Sequence, residues 1–586
     1  MTALRSFQAE IEQFSQERQR QAIREAREAH AAAEAAKHHH KVKQHDVVVS
    51  VVEDRDTDAV SAENVSVEEA LFDADDEALK SRLVSKLLQD HGEYIVALGA
   101  HAITEEGEVK GTPITKEQLD KAVERLRTTC AAIKAEMTEL YRNDAKDGPF
   151  GTWLVRLRPA SVEEVQEVRV AVVGNVDAGK STILGVLTRG GLDDGRGKAR
   201  VALFKHPHEV ETGRTSSIGG EILGFTTEGK PIYPSTPAIA DSVKREKLAW
   251  DEIYKQAAKV VSFIDLAGHE RYFKTTVFGL SGHAPDYVML IVGGNAGLIG
   301  MSKEHLGVAL ALNVPIIVCV TKTVSMLKRV LQSPGCRKTP VFVENEQQAI
   351  DCALDMTRNR SSKICPVFML SNVTGDNLPN LRSFLNILPS SQNNEKYVTD
   401  APFELHISDA FSVPFIGTVV SGVIESGVVK PNDQVLVGPD SLGHFIPTAI
   451  RSIEKKRVKV DSAEAGQCVA LALKRIRRSQ VRKGMVLMAK TEIHPKAVKR
   501  FEGMVMVLHH SSTIQPRYTA MLHCGAVRAS TQIVSLDHPS GLIRTGDRAK
   551  VVFEFIGQAE FVKEGQLILL REAKTKVLGV VTKVLD

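Results

Sequence analysis

The stretch VRVAVVGNVDAGKSTILGVLTRGG, residues 168–191, decides the fold of this chain. A β-rich run, Val168–Val173, leads into a loop that opens on Gly174, and a helical pattern follows from Lys180. The loop satisfies G-x-x-x-x-G-K-[ST] in the strand–loop–helix context that this phosphate-binding motif requires. The sequence therefore predicts a P-loop between a strand and a helix.

Each part of the predicted P-loop has a physical role in holding a triphosphate. Glycines let backbone amides turn inward around the phosphates. Lys180 supplies a cation for the β- and γ-phosphates, and the Ser181 hydroxyl is a ligand for Mg²⁺. The predicted nucleotide contacts in this loop are Gly174, Asn175, Val176, Asp177, Ala178, Gly179, Lys180, Ser181 and Thr182.

A second motif, VVSFIDLAGHERY, occupies residues 260–272. Asp265 ends a hydrophobic strand, where its carboxylate reaches the Mg²⁺ shell, and the Gly268 amide follows in position to bond the γ-phosphate. His269 has two interpretations: a surface histidine in a mobile loop, or an imidazole that orients the attacking water. We favour the second, which makes His269 the catalytic residue.

Composition sets the class of protein. The 586 residues favour three to five domains, and the formal net charge of +3 does not by itself indicate a nucleic-acid binder. Seven scattered cysteines without a C-x-x-C pair are typical of reduced thiols. The longest apolar runs, Tyr287–Val292 and Val314–Val320, are far too short to span a bilayer. We expect a cytoplasmic protein with no membrane partner.

Hydrophobic period and turn residues predict a multidomain chain. An α/β P-loop domain, with a parallel sheet and helices on both faces, precedes two antiparallel β-barrels. A small α/β domain, with a long helix over residues 116–142, and a disordered or helical N-terminal tail come first. The predicted regions are the charged tail 1–80, the small domain 81–160, the P-loop domain 166–396, and the barrels 400–493 and 494–586.

GNVDAGKST with DLAGHERY resembles the translational GTPases related to elongation factor Tu, apart from Ala267 where these proteins carry Pro. LQSPGCRK and LHHSSTIQPRYTAMLHCG look like the GTP-binding protein 1 family, a divergent branch, and the resemblance extends from Ser81 to Asp586. It implies a GTPase that binds GTP with Mg²⁺ and hydrolyses it to GDP and phosphate. It also implies a monomer that acts in translational elongation at the ribosome and binds tRNA or other RNA.

The resemblance carries further residues of the site with it. ETGRTSSIG matches switch I, where elongation factors have Thr and this chain has Ser217 as the aligned Mg²⁺ ligand. Thr215 is a rival by a small shift of register. The implied metal ligands are Ser181, Ser217 and Asp265.

The base-recognition motif departs from the family pattern [N/T]-K-x-D. The chain reads Thr321-Lys322-Thr323-Val324, and no Asp or Glu occurs between Lys322 and Glu344. Charged hydrogen bonds contribute roughly 1.5–3 kcal/mol each, so the loss of two lowers guanine affinity by about two to four decades. Either base selectivity is lost or a short segment is missing from this sequence. The implied base contacts are Thr321, Lys322, Ser371, Asn372 and Val373.

Two basic clusters of the first barrel have two interpretations, a stripe for RNA phosphates or a solvated face. They comprise Lys455, Lys456, Arg457 and Lys459, and then Lys474, Arg475, Arg477, Arg478, Arg482 and Lys483. The resemblance also places Arg517, Tyr518 and His523 near the segment that contacts the acceptor arm of tRNA.

Two alternatives to a ribosomal GTPase remain open. The missing carboxylate motivates an adaptor with impaired nucleotide selectivity and little turnover, which recruits RNA-decay or quality-control factors. An ATP-using relative with the same three-domain plan is the weaker alternative.

Overall fold

The computed structural model describes residues 6–21, 24, 66–72, 75–102, 109–110, 112–144, 148–201, 203–204, 207–212, 215–233, 250–293, 297–298, 300–321, 327–333, 336–358, 363–390, 397–491, 496–572 and 575–585. The helices of this part are α1 (6–21), α2 (Val67–Ala70), α3 (Asp76–Gln89), α4 (Lys116–Ala132), α5 (Lys180–Arg189), α6 (Lys198–Val201), α7 (Pro207–Thr212), α8 (Trp250–Gln256), α9 (Phe273–Gly282), α10 (Met301–Ala311), α11 (Leu327–Leu331), α12 (Glu346–Arg358) and α13 (Leu378–Ile387).

The small N-terminal domain packs α2, α3 and α4 on an antiparallel sheet of order β1-β5-β4. Its strands are β1 (Glu93–Leu98), β2 (His101–Ala102), β3 (Val109–Lys110), β4 (Ala135–Asn143) and β5 (Phe150–Leu157). The predicted long helix is wrong beyond Ala132: Lys134 takes φ 58°, which ends α4, and β4 follows. The core of this domain includes Val67 and Leu79, so it begins before residue 81.

The P-loop domain has an eight-stranded sheet of order β12-β13-β11-β10-β6-β9-β7-β8. Neighbouring strands from β12 to β9 run parallel, whereas β7 is antiparallel to β9 and β8 to β7. Helices α5, α12 and α13 cover one face, and α9, α10 and α11 cover the other. The strands are β6 (Gln166–Gly174), β7 (Gly219–Phe225), β8 (Pro231–Ile232), β9 (Lys259–Asp265), β10 (Tyr287–Val292), β11 (Ile316–Val320), β12 (Thr339–Val343) and β13 (Ile364–Met369).

Two antiparallel six-stranded barrels follow, which confirms the predicted fold class. The second barrel closes in the order β23-β26-β25-β24-β27-β28, and the first in the order β17-β22-β14-β15-β21-β18 with β18 paired back to β17. Their strands are β14 (Glu404–Val413), β15 (Gly417–Ser426), β16 (Val428–Val429), β17 (Gln434–Gly438), β18 (Ile446–Lys455), β19 (Val458–Val460), β20 (Ala463–Glu464), β21 (Cys468–Leu473), β22 (Val486–Ala489), β23 (Arg500–His509), β24 (Thr519–Cys524), β25 (Val527–Asp537), β26 (Arg548–Phe555), β27 (Leu567–Glu572) and β28 (Thr575–Leu585).

The prediction of a solvated charged tail is corrected for α1. Phe7 and Ile11 are 0% and 3% exposed, and they join Met506, Leu578 and Val580 in one apolar cluster. Burial of two such apolar anchors on one face of an amphipathic helix stabilises its docking. The predicted disorder of residues 25–65 lies outside the described residues.

Ionic contacts join the P-loop domain to its neighbours. Glu93 of the small domain contacts Arg156 and Lys259, and Lys259 Nζ lies 2.6 Å from the Glu93 carboxylate. Glu304 of α10 contacts Arg571 and Lys576 of the second barrel at 2.7 and 2.6 Å. Buried charges need such partners, so these contacts specify how the domains lie against each other.

Cysteine thiols are mostly inside the cores. Burial raises the pKa of Cys130 to about 11 and that of Cys524 to about 12. None of the helices in the described part of the chain has the length and apolar character needed to cross a membrane.

Candidate functional site

The P-loop lies where the sequence predicts it, between β6 and α5. Gly174 and Gly179 take φ 150° and 93°, backbone conformations that favour glycine. A Cβ on Gly174 would lie 2.3 Å from the carbonyl oxygen of Ile291 in β10, so the loop also needs glycine for space. Between these glycines lie Asn175, Val176, Asp177 and Ala178, and Thr182 lies in the first turn of α5.

Lys180 is held inside the site. Its side chain is 7% exposed, and its Nζ donates a hydrogen bond to the Asn175 carbonyl at 2.7 Å. Burial lowers the pKa of Lys180, although Asp265 and Asp177 oppose that shift. A Cβ on Gly268 would lie 2.7 Å from the Gly174 carbonyl oxygen, so Gly268 must be glycine for the backbone after β9 to approach the P-loop.

Three oxygen-bearing side chains meet beside Lys180. Ser181 Oγ lies 2.8 Å from Asp265 Oδ2 and 2.9 Å from Thr215 Oγ1, and Thr215 Oγ1 lies 3.3 Å from the same carboxylate. Asp265 is 5% exposed, and its Oδ1 has no hydrogen-bond partner among the described residues. Burial raises the pKa of Asp265, against the influence of Lys180 and Ser181. Such an orphaned carboxylate oxygen beside hydroxyls fits a hard cation, which prefers oxygen ligands.

Ser217, the switch I ligand that the alignment favoured, is not part of this group. Its Oγ donates to Glu209 Oε1 at 3.4 Å, and Ser216 Oγ donates to the same oxygen at 2.8 Å. Glu209 is 1% exposed, so the two serines solvate a buried carboxylate. The structure thus brings Thr215, the rival by register, to Ser181 and Asp265.

His269 begins a short 3-10 turn, Glu270–Tyr272, directly after Gly268. Its Nδ1 accepts a hydrogen bond from the Arg271 backbone at 3.1 Å, and its ring meets Tyr272 edge-on at 6.2 Å. The ring is half-buried. With Nδ1 engaged by the backbone, Nε2 is the nitrogen left to contact a water.

The predicted base site is only partly formed by described residues. Thr321 Oγ1 donates to the Ala178 carbonyl at 3.3 Å, which joins the end of β11 to the P-loop. Asn372 accepts from the Asp193 amide through its carbonyl at 2.8 Å, while its buried Oδ1 has no partner among the residues described. Ser371 accepts from the Thr374 amide at 3.1 Å, and Val373 is 50% exposed. Lys322 lies outside the described residues.

Two residues of α10 that the motifs did not reveal also hold the P-loop. The Gly174 amide donates to His305 Nδ1 at 3.2 Å, and the Asn175 amide donates to Ser302 Oγ at 3.0 Å. Both side chains are buried. The signal in the sequence is weak: polar residues on a helix that is otherwise apolar towards the sheet, about 130 positions downstream of the loop.

The two basic clusters of the first barrel differ in exposure. Lys455 is 0% exposed, and Lys456 lies 2.9 Å from the buried carboxylate of Glu167 in the P-loop domain, so these lysines are not part of an RNA surface. The second cluster stays on the surface, with Lys474, Arg475, Arg477, Arg478 and Lys483 exposed and Arg482 half-buried.

The expectation that His523 of the second barrel lies at a tRNA contact is corrected by its burial. His523 is 1% exposed, and neither of its ring nitrogens has a hydrogen-bond partner among the described residues. Burial lowers the pKa of His523 to about 3, so the ring is neutral and inaccessible to tRNA. Its strand β24 packs against α9.

Comparisons with known proteins match the P-loop domain and the first barrel. The model of the elongation factor Tu GTP binding domain matches residues 166–391, and that of elongation factor Tu domain 2 matches residues 417–488. GTP-binding protein 1 of Xenopus laevis is 44% identical over 522 residues, which cover 87% of this chain and 76% of that protein. GTP-binding protein 2 of Mus musculus is 37% identical over 526 residues, covering 87% and 84%.

Among solved structures, a bacterial selenocysteine-specific elongation factor, EF-Sec, aligns with a TM-score of 0.48 at 20% identity. The alignment covers 71% of this chain and 58% of that structure's chain.

Proposed function

Since this chain belongs to the GTP-binding protein 1 family, whose nucleotide-binding domain is that of elongation factor Tu, we propose that it hydrolyses GTP to GDP and phosphate with Mg²⁺ and acts with tRNA or other RNA at the ribosome. We place this monomer in the cytoplasm. The observation that carries the proposal is the grouping of Ser181, Thr215 and Asp265 beside the buried Lys180.

The phosphate end of the site supports GTP binding in detail. The amides of the P-loop and the Lys180 ammonium would bind the β- and γ-phosphates, and the amide of Gly268, which lies close to Lys180, would bond the γ-phosphate. Ser181, Thr215 and Asp265 would hold Mg²⁺, in place of the set with Ser217. Mg²⁺ bound by these residues would supply a positive charge that stabilises the charge developing on the phosphate oxygens.

Hydrolysis requires an ordered water, and His269 is the side chain proposed to orient it. Its Nδ1 accepts from the backbone, which orients the ring so that Nε2 is available to a water. Phosphoryl transfer is catalysed chiefly by positioning and electrostatics, so contact with the ribosome would start hydrolysis by orienting this ring.

The base end of the site lacks a recognised carboxylate. Asn372 offers an amide whose oxygen has no partner among the described residues, close to the P-loop at Gly179. Such an oxygen can accept a hydrogen bond from guanine N1 or the exocyclic amine. Thr321, Ser371 and Val373 complete the proposed base contacts, together with Lys322.

A surface for RNA is proposed on the first barrel. The segment of the second basic cluster contacts the β14–β15 hairpin, because Thr418 Oγ1 donates to the Ile476 carbonyl at 2.7 Å. At the tip of this hairpin, Phe415 is fully exposed at φ 63°. Arg451 holds this tip through the Ile416 carbonyl at 2.8 Å. Cations for phosphates and an aromatic face for a base are the features of single-stranded RNA sites.

Hydrolysis measured with and without ribosomes tests this function. We expect ribosomes to raise the rate of the wild-type chain, and His269→Ala to lower the stimulated rate by at least about a hundredfold, the scale of a lost positioning group. His444→Ala, at an exposed histidine of the first barrel, is the control and keeps the stimulated rate. Equal rates with and without ribosomes, or full activity of His269→Ala, would contradict the mechanism.

A second candidate function rests on the absent carboxylate between Lys322 and Glu344. It is an adaptor for RNA-decay or quality-control factors that binds nucleotides with little selectivity. Titration of labelled GTP, ATP and XTP separates the two proposals. A preference for GTP by two decades or more supports the GTPase, whereas equal affinities support the adaptor.

A further inference from the structure

Helix α1 is amphipathic and uses its apolar face. Phe7, Ile11 and Phe14 follow the i, i+4, i+7 spacing that places them on one side of a helix. Phe7 is completely buried and Ile11 is 3% exposed, whereas Gln13 and Gln16 on the other side are exposed. Helix α1 therefore packs against a defined surface of the protein through its apolar side.

That surface belongs to two domains. The apolar cluster around Phe7 and Ile11 takes Ala311 from the end of α10 in the P-loop domain. It takes Met506 of β23 and Leu578 and Val580 of β28 from the second barrel. The helix thus covers the seam between these two domains.

Polar contacts attach α1 to the P-loop domain. Gln8 Nε2 donates to the Leu310 carbonyl at 3.4 Å, and Asn313 Nδ2 donates to Glu12 Oε1 at 2.9 Å. Leu310 and Asn313 flank the end of α10.

A second set of contacts attaches α1 to the barrel. Ser15 Oγ donates to the Gly565 carbonyl at 2.6 Å, and Arg18 lies 3.4 Å from Glu564. Arg548 pairs with Glu10 at 3.1 Å and covers the Phe7 ring at 4.9 Å. Every turn of α1 is bonded to one domain or the other.

The same helix α10 reaches the phosphate site at its other end. His305 and Ser302 accept hydrogen bonds from the first amides of the P-loop, and Glu304 between them contacts Arg571 and Lys576 of the barrel. Arg571 also lies 4.5 Å over the ring of Phe273, which stacks on His305 at 5.7 Å. A displacement of the barrel therefore changes the surroundings of the residues that hold the P-loop.

We propose that α1 is a detachable strap that holds the second barrel against α10 and thereby slows the release of bound nucleotide. Helices in proteins owe most of their stability to packing of an apolar face, so we expect α1 to lose helical structure when it is released. Because α1 contacts both domains, it stabilises their contact and opposes any arrangement in which they separate. The docking of α1 does not depend on the proposed function. The effect of α1 on nucleotide release does rest on the proposed function.

Hydrogen exchange of the full chain tests the docking. In Phe7→Asp/Ile11→Asp we expect amide exchange to accelerate at least tenfold over residues 306–313 and 576–581, because the seam loses its cover. Gln13→Ala/Gln16→Ala changes the exposed side of the same helix and is expected to exchange like the wild type. Unchanged exchange at the seam in Phe7→Asp/Ile11→Asp would overturn the docking.

The dissociation rate of fluorescent mant-GDP tests whether docked α1 slows nucleotide release. We expect it to be at least threefold faster from Phe7→Asp/Ile11→Asp than from the wild type or the glutamine control. Faster exchange at the seam with an unchanged dissociation rate would show that α1 docks without acting as a strap. A wild-type chain that binds no guanine nucleotide would instead count against the proposed function, and the exchange experiment would still decide the docking.

Discussion

The two basic clusters of the first barrel have similar sequences and opposite surroundings. Lys455 ends β18 and Lys456 begins the turn that follows. Both side chains turn inward, where Lys455 Nζ donates to the Val165 carbonyl at 2.9 Å and Lys456 contacts Glu167. Arg475 and Arg477, about 20 residues later, lie on the surface. A run of like charges therefore does not identify a binding surface; the partners supplied by other domains decide its role.

Backbone geometry explains part of the difference. Lys456 and Arg457 form the tight turn between β18 and β19 at φ 48° and 73°, a conformation that usually selects Asn or Gly. The turn directs its cations towards the P-loop domain, so side chains that suit the interface are retained despite the backbone strain. The second cluster lies in a longer connection between β21 and β22, which leaves Arg475 and Arg477 in solvent.

The largest effect on stability is expected from a substitution in the first basic cluster, at its buried lysines. Lys456→Met removes the partner of Glu167, whose carboxylate is 4% exposed, and should lower the free energy of unfolding by about 3 kcal/mol. Urea unfolding of the full chain measures it. Lys459→Ala, at an exposed residue of the same hairpin, should remain within about 0.5 kcal/mol of the wild type. Equal stability of both variants would refute the interpretation of this pair.

An intermediate effect, on RNA affinity, is expected from substitutions in the exposed second basic cluster. Arg475→Ala/Arg477→Ala should weaken binding to an unstructured RNA by roughly tenfold per arginine and reduce the salt slope by about one per lost phosphate contact. Fluorescence anisotropy across a salt series provides both values. Stability should not change, and the Lys459→Ala chain should bind RNA like the wild type. A double variant with undiminished affinity would remove the second cluster from the proposed RNA surface.

The smallest effect is expected from Arg457, which belongs to the first basic cluster but is exposed. Arg457 is exposed, but its guanidinium lies 5.0 Å over the ring of Trp250 in the P-loop domain. Arg457→Ala should therefore cost about 0.5–1 kcal/mol of stability and leave RNA affinity unchanged. The same urea and anisotropy measurements apply. A loss of RNA affinity without a loss of stability would assign Arg457 to the second cluster instead.

Local motifs predicted the parts of the fold that depend on backbone chemistry. The P-loop follows from its glycines, lysine and serine, and the barrels follow from short strands between turn residues. Residues 135–142 were misassigned because their pattern suits a helix equally well. Pairing of β4 with β5 decides their conformation, and that contact is not visible in the local sequence.

The sequence predicts the residues of the site that belong to a motif, but not the contacts that come from distant parts of the chain. Ser217 and Thr215 are equivalent ligands by chemistry, and Glu209, which binds Ser217, carries no motif. His305 and Ser302 contact the P-loop from a helix that begins far along the chain. Both cases depend on where a neighbouring element lies, which sequence spacing within one motif does not contain.

The burial of the thiols makes the chain its own reporter of unfolding. Cys319, Cys352 and Cys365 lie in the cores of the P-loop domain, where burial raises their pKa values. The thiolate is the reactive form, so alkylating reagents meet these sulfurs only after the surrounding sheet has opened. The rate at which such a reagent modifies these three cysteines thus reports how fast the P-loop domain opens, without any added label.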